Sequence, residues 1–184
     1  MALALRTPRL ILREWHDSDA QPFAAMSADP EVMRHLTAFP DRAAIDDWIA
    51  RARAHWAEHG FGKFVVELAG QAEFVGVVGL DHVGFNLPFA PAVEAVWRLA
   101  RRYWGSGFAT EAARAALDDG FGRLGLDEIV AYTTLENCRS RAVMERLGMR
   151  RDPAEDFDFV HPRLPGRRLH RCVLFRRSRF GFSP

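Results

Sequence analysis

The sequence predicts one α/β domain in which helices flank a mixed, mostly antiparallel sheet of about six or seven strands. Its length of 184 residues and hydrophobic content of 48% suit a single sizeable core. Strand-like and helix-like apolar patterns follow one another in the order strand, two helices, three strands, helix, strand, helix, strands. Because no repeat, linker or low-complexity segment interrupts this order, we expect residues 1–184 to form one domain.

Turn and capping residues divide the first half of the chain. Asp17 or Ser18 can cap one helix and Asp41 another, and a short turn or helix is expected up to Leu36. The second of these helices has apolar residues at three- and four-residue spacing, which gives it one buried face. The predicted elements are a strand at Leu10–Trp15, helices at Asp17–Met26 and Arg42–Glu58, a hairpin of strands Lys63–Leu68 and Glu73–Leu80, a loop at Phe85–Pro91 and a strand at Val93–Leu99.

Glycines end the two helices predicted in the second half. Gly125 and Gly148 follow the last apolar residues of helical spacing and are typical helix stops. The predicted elements are a helix at Phe108–Leu124, a strand at Asp127–Thr133, a helix at Asn137–Leu147 and one or two strands at Asp156–Val160 and Leu169–Arg177.

Charge and cysteine content exclude several functional classes. The chain has 25 basic and 24 acidic residues, so no net field attracts nucleic acid or an anionic membrane, and any anion must be bound locally.

Cys138 and Cys172 form neither a CxxC pair nor a zinc-ligand set, which predicts no metal site and suits a reducing compartment. The opening apolar run is too short for a signal peptide and no run is long enough to span a membrane, so we expect a cytoplasmic location.

Two glycines stand between the strand ending at Leu99 and the helix beginning at Phe108. In Arg102-x-x-Gly105-x-Gly107 they permit a sharp turn and a close approach of the backbone to a ligand. The helix that follows directs unpaired N–H groups and its positive dipole end into this turn. The pattern predicts an anion-binding cradle with Arg101 and Arg102 at its entrance, although an ordinary glycine turn would carry the same letters.

A second glycine pattern, Gly120–Gly125, matches G-x-G-x-x-G but lies in the wrong context. A dinucleotide-binding turn needs a strand before it and a helix after it, whereas here a helix precedes and a strand follows. These glycines are therefore interpreted as the end of a helix. No phosphate-binding P-loop pattern occurs in the sequence.

A further motif links the cradle to a known family. Asn137-x-x-Ser140 is followed by Arg146-Leu147-Gly148-Met149, and the chain also contains TPRLILRE, GVVGL and YWGSGFATEA. Together these segments resemble the GNAT acyltransferases, most closely the branch of ribosomal-protein N-terminal acetyltransferases. The resemblance implies transfer of an acetyl group from acetyl-CoA to a primary amine, on a protein N-terminus or a small molecule, by direct attack in a ternary complex. The alternative is a non-catalytic acyl-CoA-binding module or regulator.

The resemblance also implies where acetyl-CoA would bind. Backbone N–H groups from Trp104 to Thr110 would hold the pyrophosphate, and N–H groups around Val96–Leu99 would pair with the pantetheine arm in a gap of the sheet. Asn137 would bond this arm or serve as a plain helix N-cap. The implied cofactor-binding residues are Val96, Trp97, Leu99, Arg101, Arg102, Trp104, Gly105, Ser106, Gly107, Phe108, Ala109, Thr110 and Asn137.

Catalysis by this family requires a base, because alkyl amines are mostly protonated at pH 7. Glu94 lies on the strand before the cradle, where many members carry a carboxylate, and strand alternation places it on one face with Val96 and Arg98. The alternative is a solvated carboxylate paired with Arg98. Ser140 would assist the departing thiolate or be an ordinary serine of the first helical turn, since neither Tyr103 nor Tyr132 matches the family's usual tyrosine position.

The acceptor is left open by the sequence. Loops such as Met33–Pro40, Phe85–Pro91 and Phe157–Arg168 would shape its pocket, and loops vary most freely. His161 and His170 flank a segment that would roof the pocket or form an ordinary surface loop. We expect acetyl-CoA and an amine as partners, no nucleic acid or membrane, and a monomer or homodimer.

Overall fold

The computed structural model describes residues 3–160 and 169–180, and within these ranges the strands form one nine-stranded sheet. Its order is β1-β2-β3-β4-β5-β6-β9-β7, with β8 also paired to β9. All neighbours run antiparallel except β5 and β6. The strands are β1 Ala4–Arg6, β2 Leu10–Arg13, β3 Lys63–Leu68, β4 Ala72–His82, β5 Val93–Leu99, β6 Glu128–Thr134, β7 Arg150–Arg151, β8 Phe157–Val160 and β9 Leu169–Ser178.

The helices begin and end close to the predicted residues. They are α1 Ala20–Ser27, α2 Pro30–Met33, α3 Arg42–His59, α4 Phe108–Gly122 and α5 Cys138–Arg146, with a short 3-10 turn at Arg101–Tyr103 before the cradle. Asp41 caps α3 by accepting a hydrogen bond from the Ala44 N–H at 2.8 Å. Gly148, with φ 72°, follows α5 in the left-handed conformation expected of a helix stop.

The sheet contains more strands than predicted. β1 has three residues and β7 has two, too few for an alternating pattern to reveal them. They are strands because β2 and β9 offer free edges, which is a tertiary effect.

Gly120 explains the misleading glycine pattern. It lies inside α4, where an added Cβ would approach Ile129 Cδ1 and Leu80 Cδ1 to 2.7 Å each. The glycine therefore lets the helix pack closely against the sheet. Its setting is helix followed by strand, as interpreted from the sequence, and has nothing to do with dinucleotide binding.

A separate apolar cluster packs against each face of the sheet. Ala95 and Leu99 of β5 pack beneath α4 and α5 in one apolar cluster. Arg98 projects to the opposite face, where α1 and α3 pack, and its guanidinium lies 5.6 Å from the ring centre of Phe23. The two-residue alternation predicted for this strand is therefore present.

The sheet opens between β5 and β6. These parallel strands are joined at the pair Glu94 and Val130, with no further residue pair among the described residues. The pairing ends at Glu94, so the remainder of β5 up to Leu99, where the chain enters the cradle, has no paired residue on β6. In the described part of the chain, no helix combines the length and apolar character needed to cross a membrane.

Candidate active site

The cradle is an open turn lined by backbone donors. Gly105 and Gly107 have φ values of 78° and 80°, a region that favours glycine, and Gly107 is the N-cap residue of α4. No described residue accepts a hydrogen bond from the N–H groups of Gly105 to Thr110. A Cβ added to Gly105 would meet no atom within 4 Å, so the space beside the turn is free. The turn therefore offers an anion several N–H donors at a positive helix end.

Trp104 does not contribute a free donor, contrary to the prediction. Its backbone N–H donates to the Arg101 carbonyl at 3.1 Å, and its indole Nε1 donates to the Leu99 carbonyl at 2.8 Å. The backbone N–H closes the 3-10 turn before the cradle, and the indole N–H bonds the last residue of β5. Trp104 anchors the cradle to the end of β5, and the available N–H groups begin at Gly105.

Three arginines surround the cradle. Arg101 and Arg102 are exposed and have no carboxylate partner among the described residues. Arg139 was not predicted, and its guanidinium lies 4.6 Å from the ring centre of Trp104. The local charge is therefore positive although the whole chain is nearly neutral.

Glu111 holds the cradle against the first hairpin of the sheet. Its carboxylate accepts hydrogen bonds from Thr7 Oγ1 at 2.6 Å and from the Arg9 backbone N–H at 3.1 Å, and it forms an ion pair with the Arg9 side chain. Arg9 in turn donates to the Ser106 carbonyl at 3.0 Å. Burial acts to raise the pKa of Glu111, but the hydrogen bonds from Thr7 and Arg9 outweigh it and hold the pKa below its usual value.

Glu111→Gln is expected to lower the free energy of unfolding by about 1–2 kcal/mol at pH 7, the scale of a lost charge-assisted hydrogen bond. Because the folded-state pKa is depressed, this contribution is complete above the unfolded value and is lost as pH falls through the folded value. Urea unfolding at pH 7 and at acidic pH measures it. The exposed Glu145→Gln serves as control, and equal stability of both variants at pH 7 would contradict the anchoring role.

The backbone of β5 directs alternate N–H groups into the gap. The Ala100 N–H donates to the Val75 carbonyl at 2.9 Å, which fixes even-numbered residues of this strand as partners of β4. The Val96 N–H is therefore engaged in the sheet and is not available to a ligand, which corrects the prediction for this residue. The N–H groups of Trp97 and Leu99 face the gap instead.

Glu94 lies in a desolvated position beside the gap. Burial raises its pKa to about 7, against the opposing effect of the positive charge on Lys63. No ion pair joins it to Arg98, so the alternative of a paired surface carboxylate does not hold. Four residues along a strand span about 13 Å, which is too far for that pair. A carboxylate with a pKa near 7 is suited to accept a proton at neutral pH.

Positive and aromatic groups surround Glu94 on its face of the sheet. Lys63 forms an ion pair with Asp81, and Asp81 is the residue of β4 that lies opposite Glu94 in the sheet. Burial raises the pKa of Tyr132, and the nearby Glu94 adds to this effect, so the phenol stays protonated. The Nη1 atom of Arg98 is buried without a hydrogen-bond partner in the structure described, among the rings of Phe23, Phe39 and Trp48.

Asn137 acts as the N-cap of α5. Its Oδ1 accepts a hydrogen bond from the Ser140 N–H at 3.3 Å, and its Nδ2 donates to Thr133 Oγ1 at 2.9 Å. Of the two roles considered for this residue, capping is therefore present. The Ser140 hydroxyl forms no hydrogen bond with a described residue, so it is free to contact a ligand.

The acceptor side is described only in part. His161 and the segment 162–166 lie outside the described residues. His170 lies on β9 opposite Phe159. His35, which was not predicted, contacts Thr134 Oγ1 through Nδ1 at 3.1 Å and joins the Met33–Pro40 loop to the end of β6. No sequence pattern predicts that His35, Arg9 or Arg139 lies at the site, because each reaches it from an element distant in the chain.

The chain therefore combines two parallel strands that separate after one residue pair with a glycine turn at a helix N-terminus. The family model described as "Acetyltransferase (GNAT) domain" matches residues 9–150. The chain therefore belongs to the GNAT acetyltransferase family and is an N-acetyltransferase.

Individual relatives agree with this assignment. The chain is 32% identical to the uncharacterized protein YkkB of Bacillus subtilis over 146 residues, which cover 79% of this chain and 84% of the relative. It is 29% identical to the uncharacterized N-acetyltransferase p20 of Bacillus licheniformis over 150 residues, 80% of this chain and 83% of that one. A GNAT acetyltransferase from Bacillus anthracis superposes with a TM-score of 0.78 at 25% identity, covering 97% and 99% of the two chains.

Proposed function

We propose that this protein transfers the acetyl group of acetyl-CoA to a primary amine by direct attack, with Glu94 as general base. The observation that carries the proposal is a carboxylate of raised pKa beside the opening between β5 and β6. Acetyl-CoA supplies an activated acetyl group as a thioester. In the overall reaction the amine nitrogen gains the acetyl group and loses a proton, and the CoA thiol leaves.

The cradle fits the pyrophosphate of acetyl-CoA. The free N–H groups from Gly105 to Thr110 would hold it, with Arg101 and Arg102 adding charge at the rim. The N–H groups of Trp97 and Leu99 would bond the pantetheine arm and the thioester carbonyl in the gap. Asn137 would hold the side of the gap in place through its hydrogen bond to Thr133, in addition to any bond that it makes to the pantetheine arm.

Glu94 would accept the proton from the attacking amine, directly or through water. Its desolvated setting supports this role, since a base whose pKa lies near the working pH combines availability with driving force. Tyr132 would stay protonated beside it. Ser140 would donate a hydrogen bond to the thiolate and supply or relay its proton, with the hydroxyl that no described residue uses.

Ser140→Ala is expected to lower kcat about tenfold or more, while the affinity for CoA changes little, because the hydroxyl would act on the leaving group rather than on binding. Steady-state thiol release and calorimetric titration of CoA measure the two effects. Ser178→Ala, on β9, is the control. An unchanged kcat would leave Ser140 with no part in the reaction.

The proposed acceptor is a neutral or anionic molecule apart from its reacting amine. Lys63 is neutralised by Asp81, whereas Arg98 forms no ion pair with a described carboxylate, and this positive charge on the face that carries Glu94 disfavours a polycation. The unpartnered Nη1 of Arg98 suits a carbonyl or carboxylate oxygen. Peptides with a free N-terminus and small amines bearing such an oxygen both meet this description, and resemblance to the ribosomal-protein branch stays a prediction.

Thiol release from acetyl-CoA, measured against a panel of peptides, aminoacyl amides, alkylamines and spermidine, tests the proposed function. We expect turnover with an acceptor that carries an oxygen near the amine, and little with spermidine. A non-catalytic module would bind CoA tightly and remain silent across the panel. Preference for spermidine would contradict the proposed acceptor class without contradicting acetyl transfer.

A further inference from the structure

Three histidines meet at a place remote from the cradle in the sequence. His55 and His59 lie one turn apart at the end of α3, and His82 is the last residue of β4. One ring nitrogen from each lies within 4.8 Å of the other two. The Nε2 atom of His55 is 3.1 Å from Nδ1 of His82. Residues four apart on a helix project side by side, so the packing of α3 against β4 completes the group.

The hydrogen bonds of His55 identify where its lone pair points. Its Nδ1 lies 2.8 Å from the Phe61 carbonyl oxygen, which only accepts, so Nδ1 carries the proton. In the neutral ring Nε2 therefore carries the lone pair, and it lies 3.1 Å from His82 Nδ1. The 2.9 Å contact from Nε2 to Asp81 Oδ1 is an ion pair when the ring is protonated, and a metal ion at Nε2 would take the place of that proton.

Neutral imidazoles with available lone pairs are the form that binds metal ions, and one ring nitrogen from each of the three histidines converges here.

We propose that His55, His59 and His82 form a binding site for one Zn²⁺ or another late first-row divalent ion. Zn–N bonds of about 2.0–2.1 Å in a tetrahedral site place the nitrogens about 3.3–3.4 Å apart, which lies between the 3.1 Å that separates His55 Nε2 from His82 Nδ1 and the 4.8 Å limit of the whole group. Small rotations of the exposed His59 and His82 would complete the site. Imidazole nitrogen suits zinc, copper and nickel, whereas magnesium and calcium prefer oxygen. The contact from His55 Nδ1 to the Phe61 carbonyl is the outer-shell bond that typically orients a metal-binding histidine.

The ion would connect the end of α3 to the end of β4. We assign it no part in acetyl transfer, because none of the three histidines belongs to the residues proposed for that step. We therefore expect bound Zn²⁺ to raise the melting temperature of the protein, and this inference does not depend on the proposed acceptor or base.

The test is calorimetric titration of Zn²⁺ into the chelator-treated full chain, with visible absorption after Co²⁺ addition as a second readout of four-coordinate geometry. We expect one ion per chain. His59→Gln and His82→Gln, both at exposed positions, should each weaken binding more than about a hundredfold, beyond the loss caused by an outer-shell change. His170→Gln, on β9, is the matched control and should bind as the wild type does.

Circular dichroism and thermal unfolding in chelator verify that the metal-free variants fold like the wild type. Failure of the wild type to take up one ion would overturn the inference. So would unchanged affinity in both cluster variants, or an equal loss in His170→Gln, since scattered surface histidines would then account for binding. Selective loss in the cluster variants, together with loss of the Co²⁺ absorption, supports the site.

Discussion

Glu94→Gln is expected to lower kcat by roughly 10²- to 10⁴-fold, the range typical of a lost general base. Glutamine keeps the size of the side chain but accepts no proton from the amine at neutral pH. The affinity for CoA should change little, since no step of cofactor binding uses this carboxylate. Thiol release with a productive amine, together with calorimetry of CoA, measures the two effects.

The pH profile separates catalysis from general damage. With a folded-state pKa of about 7, Glu94 is protonated and inactive below this value, so kcat/KM of the wild type should rise as pH increases through about 7. The variant should lack the inflection near pH 7 and keep only the rise that follows deprotonation of the free amine at higher pH. Glu73→Gln, at an exposed position of β4, is the control and should retain both rate and profile. A normal profile in Glu94→Gln would remove Glu94 from the role of base.

The same variant should be more stable than the wild type at alkaline pH. Because burial raises the folded-state pKa above the usual 4.5, the folded protein binds this proton more readily than the unfolded chain, and stability falls as pH rises from about 4.5 through about 7. Glutamine abolishes this penalty, which is at most about 3 kcal/mol. Urea unfolding at pH 5 and pH 8 should show a clearly larger gain at pH 8 than at pH 5. Equal differences at both pH values would contradict a buried carboxylate.

Gly107→Val is expected to weaken CoA binding by at least about a hundredfold, equivalent to the loss of one or two charge-assisted hydrogen bonds. Gly107 has φ 80° at the N-cap of α4, a conformation that valine adopts only with strain. Its Cβ would already lie 3.5 Å from Arg9 Nη2, and the added methyl groups would enlarge the obstruction to a phosphate. Calorimetry of CoA measures the change.

Gly125→Val distinguishes loss of the cradle from simple backbone strain. Gly125 also has a positive φ, 68°, but follows the opposite end of α4. Both variants should lose comparable stability, about 1–2 kcal/mol, and only Gly107→Val should lose affinity. If the affinity for CoA is unchanged in Gly107→Val, the pyrophosphate does not bind this turn.

The cradle and the strand of Glu94 could be predicted because their signals are local. Gly105 and Gly107 lie within three residues of each other, between a β-type run and a helical run, and two-residue alternation assigns Glu94 and Arg98 to one face. The short strands β1 and β7 could not be found, since two or three residues show no period. Arg9, His35 and Arg139 were missed because their proximity to the site arises from long-range packing.

By itself the sequence determined the alternation of strands and helices, the glycine turn at a helix N-terminus and the resemblance to the GNAT family, since each depends on residues close in the chain. The tertiary structure decided which donors and charges are available. Val96 and Trp104 carry engaged N–H groups because of strand pairing and a closed turn. Glu94 has a pKa near 7 because other elements bury it, and desolvation depends on the whole surrounding fold.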